Sequence, residues 1–164
     1  MNSFSIRQAG PEDVDQILSF IRLLAEYEHM ASEVVATKEL LHEWLFQKKT
    51  AYVLIAECEG KPVGFALYFF NFSTFLGRGG IYLEDLFVLP EYRGRGIGHA
   101  LLRRLAAIAM QNGCGRLEWW CLDWNTPSIA FYRSVGAVSM EEWTTWRVTG
   151  NTLCAMAAED GAEQ

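Results

Sequence analysis

Residues 81–109 read IYLEDLFVLPEYRGRGIGHALLRRLAAIA, and the order of signals in this stretch decides the fold. Ile81 to Val88 is a β-branched and aromatic run that Leu89-Pro90 closes, which predicts a strand. Arg93-Gly94-Arg95-Gly96-Ile97-Gly98 follows at once. Leu101, Leu102, Leu105, Ile108 and Ala109 then recur at helical spacing, and Asn112-Gly113 ends the helix. A strand, a glycine-rich loop and a helix start gather backbone N–H groups and the positive end of a helix dipole around one concavity. Glycines let the backbone come close and take positive φ, so an anion, above all a pyrophosphate, is the natural occupant. A plain strand-to-helix turn is the alternative. Gly-Lys-Ser/Thr is absent, so a P-loop fails where it would meet the terminal phosphates. A dinucleotide fingerprint needs a third glycine at His99 or at Leu101, and neither is glycine.

Working outward, Phe4, Ile6 and Gln8 alternate with their neighbours as a short first strand that Gly10-Pro11 ends. Pro11, Glu12 and Asp13 suit the first turn of a helix. Val14, Ile17, Leu18, Ile21, Leu24 and Ala25 carry that helix to about Glu28, and a second helix is expected from Thr37 through Leu45. Tyr52 to Cys58 and Val63 to Phe72, joined by Glu59-Gly60-Lys61-Pro62, read as a hairpin. Ser73 to Gly80 reads as a looser connection into the strand at Ile81. Past the long helix, Arg116 to Leu122 is a strand and Asn125-Thr126-Pro127 starts a short helix through Tyr132. Trp143 to Val148 and Thr152 to Met156 read as a closing hairpin around Gly150-Asn151, and Ala158 to Gln164 as a patternless tail. The expected order is βααβββαβαββ, an α/β (α+β) fold with a mixed sheet covered by helices. The 164 residues fit one domain spanning 1–164.

At 51% hydrophobic and 21% charged, the composition is that of a folded globular chain. No apolar run reaches the ~18 residues of a membrane span, and Met1 to Gln8 lacks the pattern of a secretory signal, so a cytoplasmic protein with no membrane partner is expected. Cys58, Cys114, Cys121 and Cys154 form no C-x-x-C pair, and His29, His42 and His99 lack ligand spacing, so no metal is expected. A net charge of −6 argues against a nucleic-acid partner and suits a cationic small molecule.

Arg93, Gly96 and Gly98 satisfy Arg-x-x-Gly-x-Gly, which resembles the acetyl-CoA loop of the GNAT acetyltransferases. The neighbouring runs, 82–88, 92–98 and 124–132, together with Leu24-Ala25-Glu26-Tyr27-Glu28 and Ile6-Arg7, resemble the diamine (spermidine/spermine) N-acetyltransferases over nearly the whole chain. The resemblance implies a GNAT fold and transfer of acetyl from acetyl-CoA to a primary amine by direct attack in a ternary complex. A protein or peptide N-acetyltransferase and a non-catalytic acyl-CoA-binding module of the same fold are the alternatives. It also implies a homodimer.

The resemblance assigns roles residue by residue. Backbone groups of Leu86, Phe87 and Val88 would bind the pantetheine arm, and Arg93, Gly94, Arg95, Gly96, Ile97, Gly98 and His99 the pyrophosphate. A free alkylamine has a pKa near ~10.4, so it must lose a proton before it can attack. Glu84 is implied as the group that takes this proton through water, with a structural carboxylate or cation anchor as its other reading. Alternation along the strand sends Asp85 to the opposite face, so the two are not expected to act as a pair. Tyr132 is implied as the acid that protonates the CoA thiolate, beside Phe131 as packing. Asn125 and Ser128 match cofactor contacts, although Asn125 equally suits a helix start. Tyr27 and Glu28 match positions that hold the amine; as residues at a helix end they equally fit plain surface. One departure bears on the acceptor. An acidic pair precedes Gly-Trp-Arg in the family, whereas here Glu141-Glu142 precedes Trp143-Thr144-Thr145-Trp146-Arg147. The acid that would grip the far end of a long polyamine is displaced, and Trp119, Trp120 and Trp124 offer a narrower pocket. A short diamine or a lysine-like amino acid then becomes the alternative acceptor.

Overall fold

The computed structural model describes residues 4–160, which separate into two compact units that meet in sequence at Asp123 and Trp124. The first unit carries a five-stranded sheet in the order β1 (Phe4–Gln8), β2 (Tyr52–Cys58), β3 (Lys61–Ser73), β4 (Arg78–Val88), β5 (Leu117–Trp119). The first four strands pair antiparallel and β5 joins β4 in parallel, which is the mixed sheet expected. The connection expected at Ser73 to Gly80 is shorter than read, because the hairpin strands run on to Ser73 and resume at Arg78. The strand expected over Arg116 to Leu122 pairs only through Leu117–Trp119.

Helix α1 (Val14–Tyr27) starts from a 3-10 turn at Pro11–Asp13. Arg7 fixes this start from β1: its Nη1 and Nη2 donate to the two Asp13 carboxylate oxygens at 2.7 and 2.8 Å, and its Nε donates to Glu57 Oε1 at 2.8 Å. The guanidinium beside Asp13 holds that carboxyl below the usual range, despite the opposing effect of burial. α1 then lays Ile17 and Phe20 on one sheet face, where Phe20 stacks on Phe65 with ring centroids 5.3 Å apart and tilts against Phe87 at 6.2 Å. A buried Phe side chain contributes roughly 1.5–3 kcal/mol, so this face fixes the end of α1 over β4. Thr37 caps the second helix as expected, through Leu40 N to Thr37 Oγ1. Helix α2 (Lys38–His42) passes into a π-helical turn at Glu43–Gln47, which buries Leu45. Helix α3 (Ile97–Gln111) buries Leu101, Leu102 and Leu105.

In the second unit, helix α4 (Thr126–Ser134) follows Asn125, and the chain then runs without regular structure to helix α5 (Gly150–Asp160). The closing hairpin read from Trp143 to Met156 is therefore corrected: its first half forms no strand and its second is helical. Trp143 and Trp146 remain 74% and 90% exposed, so their spacing has no apolar face to bury against, and a hairpin alone is marginal in water. Leu153, Ala155, Met156, Ala157 and Ala158 are strong helix formers and take the helix instead. The tail expected from Ala158 is helical to Asp160, and residues 161–164 lie outside the described residues.

Gly64 of β3 faces Val88 across the ladder, and a Cβ there would lie 2.7 Å from the Phe87 carbonyl oxygen. The two strands can approach this closely only because position 64 has no side chain. Gly64→Ala is expected to destabilise the protein by about 1–3 kcal/mol, as overpacking does, and to weaken acetyl-CoA binding by displacing β4; urea denaturation and calorimetric titration measure the two effects.

Candidate active site

The parallel register between β4 and β5 runs only from Ile81–Leu117 through Tyr82–Glu118 to Leu83–Trp119. β4 continues for five more residues, and from Glu84 to Val88 it has no strand partner on that side among the described residues, while β3 holds its other side to Val88. Leu86, Phe87 and Val88, expected to offer their backbone to the pantetheine arm, lie on this unpaired segment. An extended ligand arm can take up backbone groups that a fifth strand would otherwise use.

Gly94 and Gly96 both adopt left-handed φ, +75° and +83°, and Gly96 is the N-cap of α3 with no side chain bonded to the cap. The first closed turn is Ala100 N to Gly96 O at 3.0 Å, so the N–H groups ahead of it face the loop. This cradle fits a pyrophosphate. The Arg93 side chain, by contrast, turns back: its Nε donates to Val88 O at 2.8 Å, and its guanidinium carbon lies 5.1 Å from the Tyr27 ring centroid and 5.5 Å from that of Phe87. Arg95 bonds Glu91 O and covers Tyr92. Both arginines therefore brace the loop with their side chains, and Tyr27 is tied to it through Arg93.

The expectation for Glu84 and Asp85 is corrected by a β-bulge. Leu67 pairs with Asp85 and Tyr68 with Leu83, so Glu84 is an extra residue on β4. Leu67 and Tyr68 point to opposite faces, which places Asp85 on the face of Leu67, Phe65 and Phe87 and Leu83 on the other. Glu84, one residue after Leu83, shares the face of Asp85, as does Tyr82, which stacks on Phe69 at 5.1 Å. Alternation without the bulge separates the two carboxylates; the bulge brings them together. Glu28, the C-cap of α1, completes the group. Burial, with the charges of Glu84 and Glu28 adding, pushes the Asp85 carboxyl up to about 7, and burial also raises Glu28. The spacing of residues gave no sign of Asp85, because a bulge leaves no mark in a pattern of period two. Burial and the charges of Glu28 and Asp123 push the Cys121 thiol up, which disfavours its thiolate near neutral pH.

In the second unit, Asn125 is 5% exposed and its Oδ1 accepts from Ser128 N at 3.3 Å, so its helix-start reading is realised. The Phe131 and Tyr132 rings lie 5.3 Å apart, both partly buried.

The family described as the Acetyltransferase (GNAT) family matches residues 16–137. A thialysine N-epsilon-acetyltransferase of Bos taurus is 38% identical over 94% of this chain and 97% of its own length. An L-ornithine N5-acetyltransferase of Arabidopsis thaliana is 43% identical over 92% of this chain and 86% of its own. Among solved structures, an integron cassette protein from the mobile metagenome of V. cholerae superposes with a TM-score of 0.78 at 29% identity, covering 96% of this chain and 98% of that one.

Because folded Asp85 binds its proton more tightly than an unfolded aspartate, with a pKa near ~3.9, this residue's contribution to stability is present below about pH 4 and is lost as pH rises through about 7. Asp85→Asn is therefore expected to raise Tm at pH 8 and to leave it nearly unchanged at pH 4, as thermal melts across that range will read.

Proposed function

The chain belongs to the GNAT acetyltransferase family, and on that footing we infer that it moves acetyl from acetyl-CoA to the primary amine of a small cation, a diamine or a lysine-like amino acid. The observation that carries the acceptor class is the carboxylate group Glu28, Glu84 and Asp85 on one sheet face, beside the strand segment left unpaired for the cosubstrate. An ammonium offsets the repulsion among these acids, whereas a neutral or anionic acceptor does not. The thialysine and ornithine acetyltransferases also act on amine-bearing amino acids, which supports the same class.

Acetyl-CoA supplies the activated thioester. The loop Arg93 to His99 and the start of α3 hold its pyrophosphate, and the β4 backbone from Leu86 to Val88 takes its arm and polarises the acetyl carbonyl. Tyr27 and Glu28 hold the amine, and Glu84 meets the ammonium and gives its proton a carboxylate route. The neutral nitrogen then attacks the thioester directly in a ternary complex, consistent with a Cys121 thiol held protonated. Tyr132 supplies the proton to the departing thiolate. Asn125 and Ser128, which share a hydrogen bond at the start of α4, are read as further cosubstrate contacts.

The family match crosses the junction at Asp123 and Trp124, which supports reading 1–164 as one domain. Four cysteines, none in a disulfide, suit a reducing cytoplasm, and the exposed Val138, Met140, Trp143 and Trp146 suit an interface between two copies.

Thiol release from acetyl-CoA is expected with ornithine, lysine, thialysine or putrescine in preference to spermine. Acetylation of proteins with every small amine inert would move the activity to a peptide acceptor. Tyr132→Phe is expected to lower kcat on the order of 100-fold, within the range for general acid catalysis, while calorimetry finds acetyl-CoA binding unchanged.

A further inference from the structure

Asp85 stands in a position that a folded protein rarely leaves unresolved. Its carboxyl sits on the core face beside Phe87 and opposite Leu67, and each influence acting on it disfavours the anion: burial, then Glu84, then Glu28. No hydrogen bond and no cation among the described residues offsets them. The charged groups around it are otherwise engaged or alike in sign. From α1 come Tyr27 and Glu28, and Tyr27 is covered by Arg93. From β4 and the loop after it come Tyr82, Glu84 and Arg93 itself, whose guanidinium lies on Val88 O and two rings. Farther along the sheet, Glu118 of β5, held by Asn71 and Arg116, acts on Tyr82, and Cys121 after β5 feels Glu28 and Asp123. β3 presents the apolar Phe65, Leu67 and Phe69 on that face. A carboxylate so placed is costly unless it gains a proton or a cation, and a protonated amine brings both.

We propose that Asp85 is the group that accepts the proton of the acceptor ammonium, with Glu84, exposed at the bulge, as the carboxylate that receives the cation. This rests on the amine acetyltransferase reading above and names the proton acceptor within it. The N–H bond of the ammonium breaks toward the Asp85 carboxylate, giving a neutral carboxylic acid and a neutral amine. The nitrogen lone pair forms the C–N bond, and the C–S bond breaks with its electron pair on sulfur. The second nitrogen proton is lost as the intermediate collapses and is matched by the one that ends on the thiol. The first returns to solvent from Asp85, so one proton is released per turnover. A proton acceptor poised near the working pH suits this step, because an acceptor that is too acidic cannot hold what it takes.

The test has two arms on the full chain. Carboxyl carbon NMR without substrate, assigned by difference from Asp85→Asn, is expected to show Asp85 titrating near pH 7; titration near the ordinary ~4 overturns the proposal. In kinetics, wild-type kcat/KM for the amine is expected to rise through a limb near pH 7. Asp85→Asn should lose that limb and about 100-fold in kcat while keeping its affinity for acetyl-CoA, and should recover most of the rate with a weakly basic amine that arrives neutral. Glu84→Gln should chiefly raise KM. A limb that survives in Asp85→Asn and disappears in Glu84→Gln gives the role to Glu84 and overturns the proposal. Failure of the wild type to acetylate any amine refutes the acetyltransferase reading instead, and the NMR arm still decides on Asp85.

Discussion

The hydrogen-bond ladder between β4 and β5 stops after Leu83, and the rest of the site depends on that stop. A strand can offer its backbone to a ligand only if its neighbour releases it, and it can remain straight while released only if its other neighbour does not. β3 meets the second condition by pairing with β4 from Ser73–Arg78 to Gly64–Val88. Gly64 lets the two approach at the released end, and Arg93 ties that end to the loop through Val88 O. The glycine-rich loop and the released strand segment are thus one mechanical piece, set by backbone geometry with few side chains involved.

The β-bulge adds the second constraint. One extra residue on β4 reverses which face each later side chain meets, so Ile81 and Leu83 turn to one side while Asp85 and Phe87 turn to the side of α1. Without it, Glu84 alone would face the end of α1 and Asp85 would be sealed on the other side of the sheet. With it, three carboxylates from two elements converge, and the stacked Phe20 and Phe65 fix how close α1 brings Glu28. Burial in the core and acidity at the site follow from the same register shift.

What could be read from residues alone follows the same division. The strand, loop and helix at 81–109 were legible because glycine at left-handed φ and apolar residues at helical spacing leave direct traces, as at Gly94, Gly96 and Leu101. Thr37 and Asn125 were legible as caps because capping is local chemistry. The pairing of Glu84 with Asp85 was not, since a register shift belongs to two strands and is written in neither. The closing hairpin also misled: the aromatic and β-branched run Trp143 to Val148 suits a strand by composition, but such residues yield a strand only where a sheet face is present to cover them. Arg93 was legible as part of the loop but not as its brace, because a guanidinium reaches partners several residues away.

The carboxylate group also explains why the fold tolerates a loss of stability at its site. Glu28 lies at the C-terminal end of α1, where the helix dipole disfavours an anion, and Asp85 is largely shielded from solvent with no cation beside it among the described residues. Nothing in the packing of Phe20 or Phe87 requires an acid at either position, and apolar residues there would make a better core. Burial and like charge raise both carboxyls, so the arrangement disfavours the anions, and the amine reading proposed above supplies the cation that would offset this. On that reading, selectivity for an ammonium needs few dedicated contacts, because the repulsion is built into the fold and a positively charged acceptor would remove it.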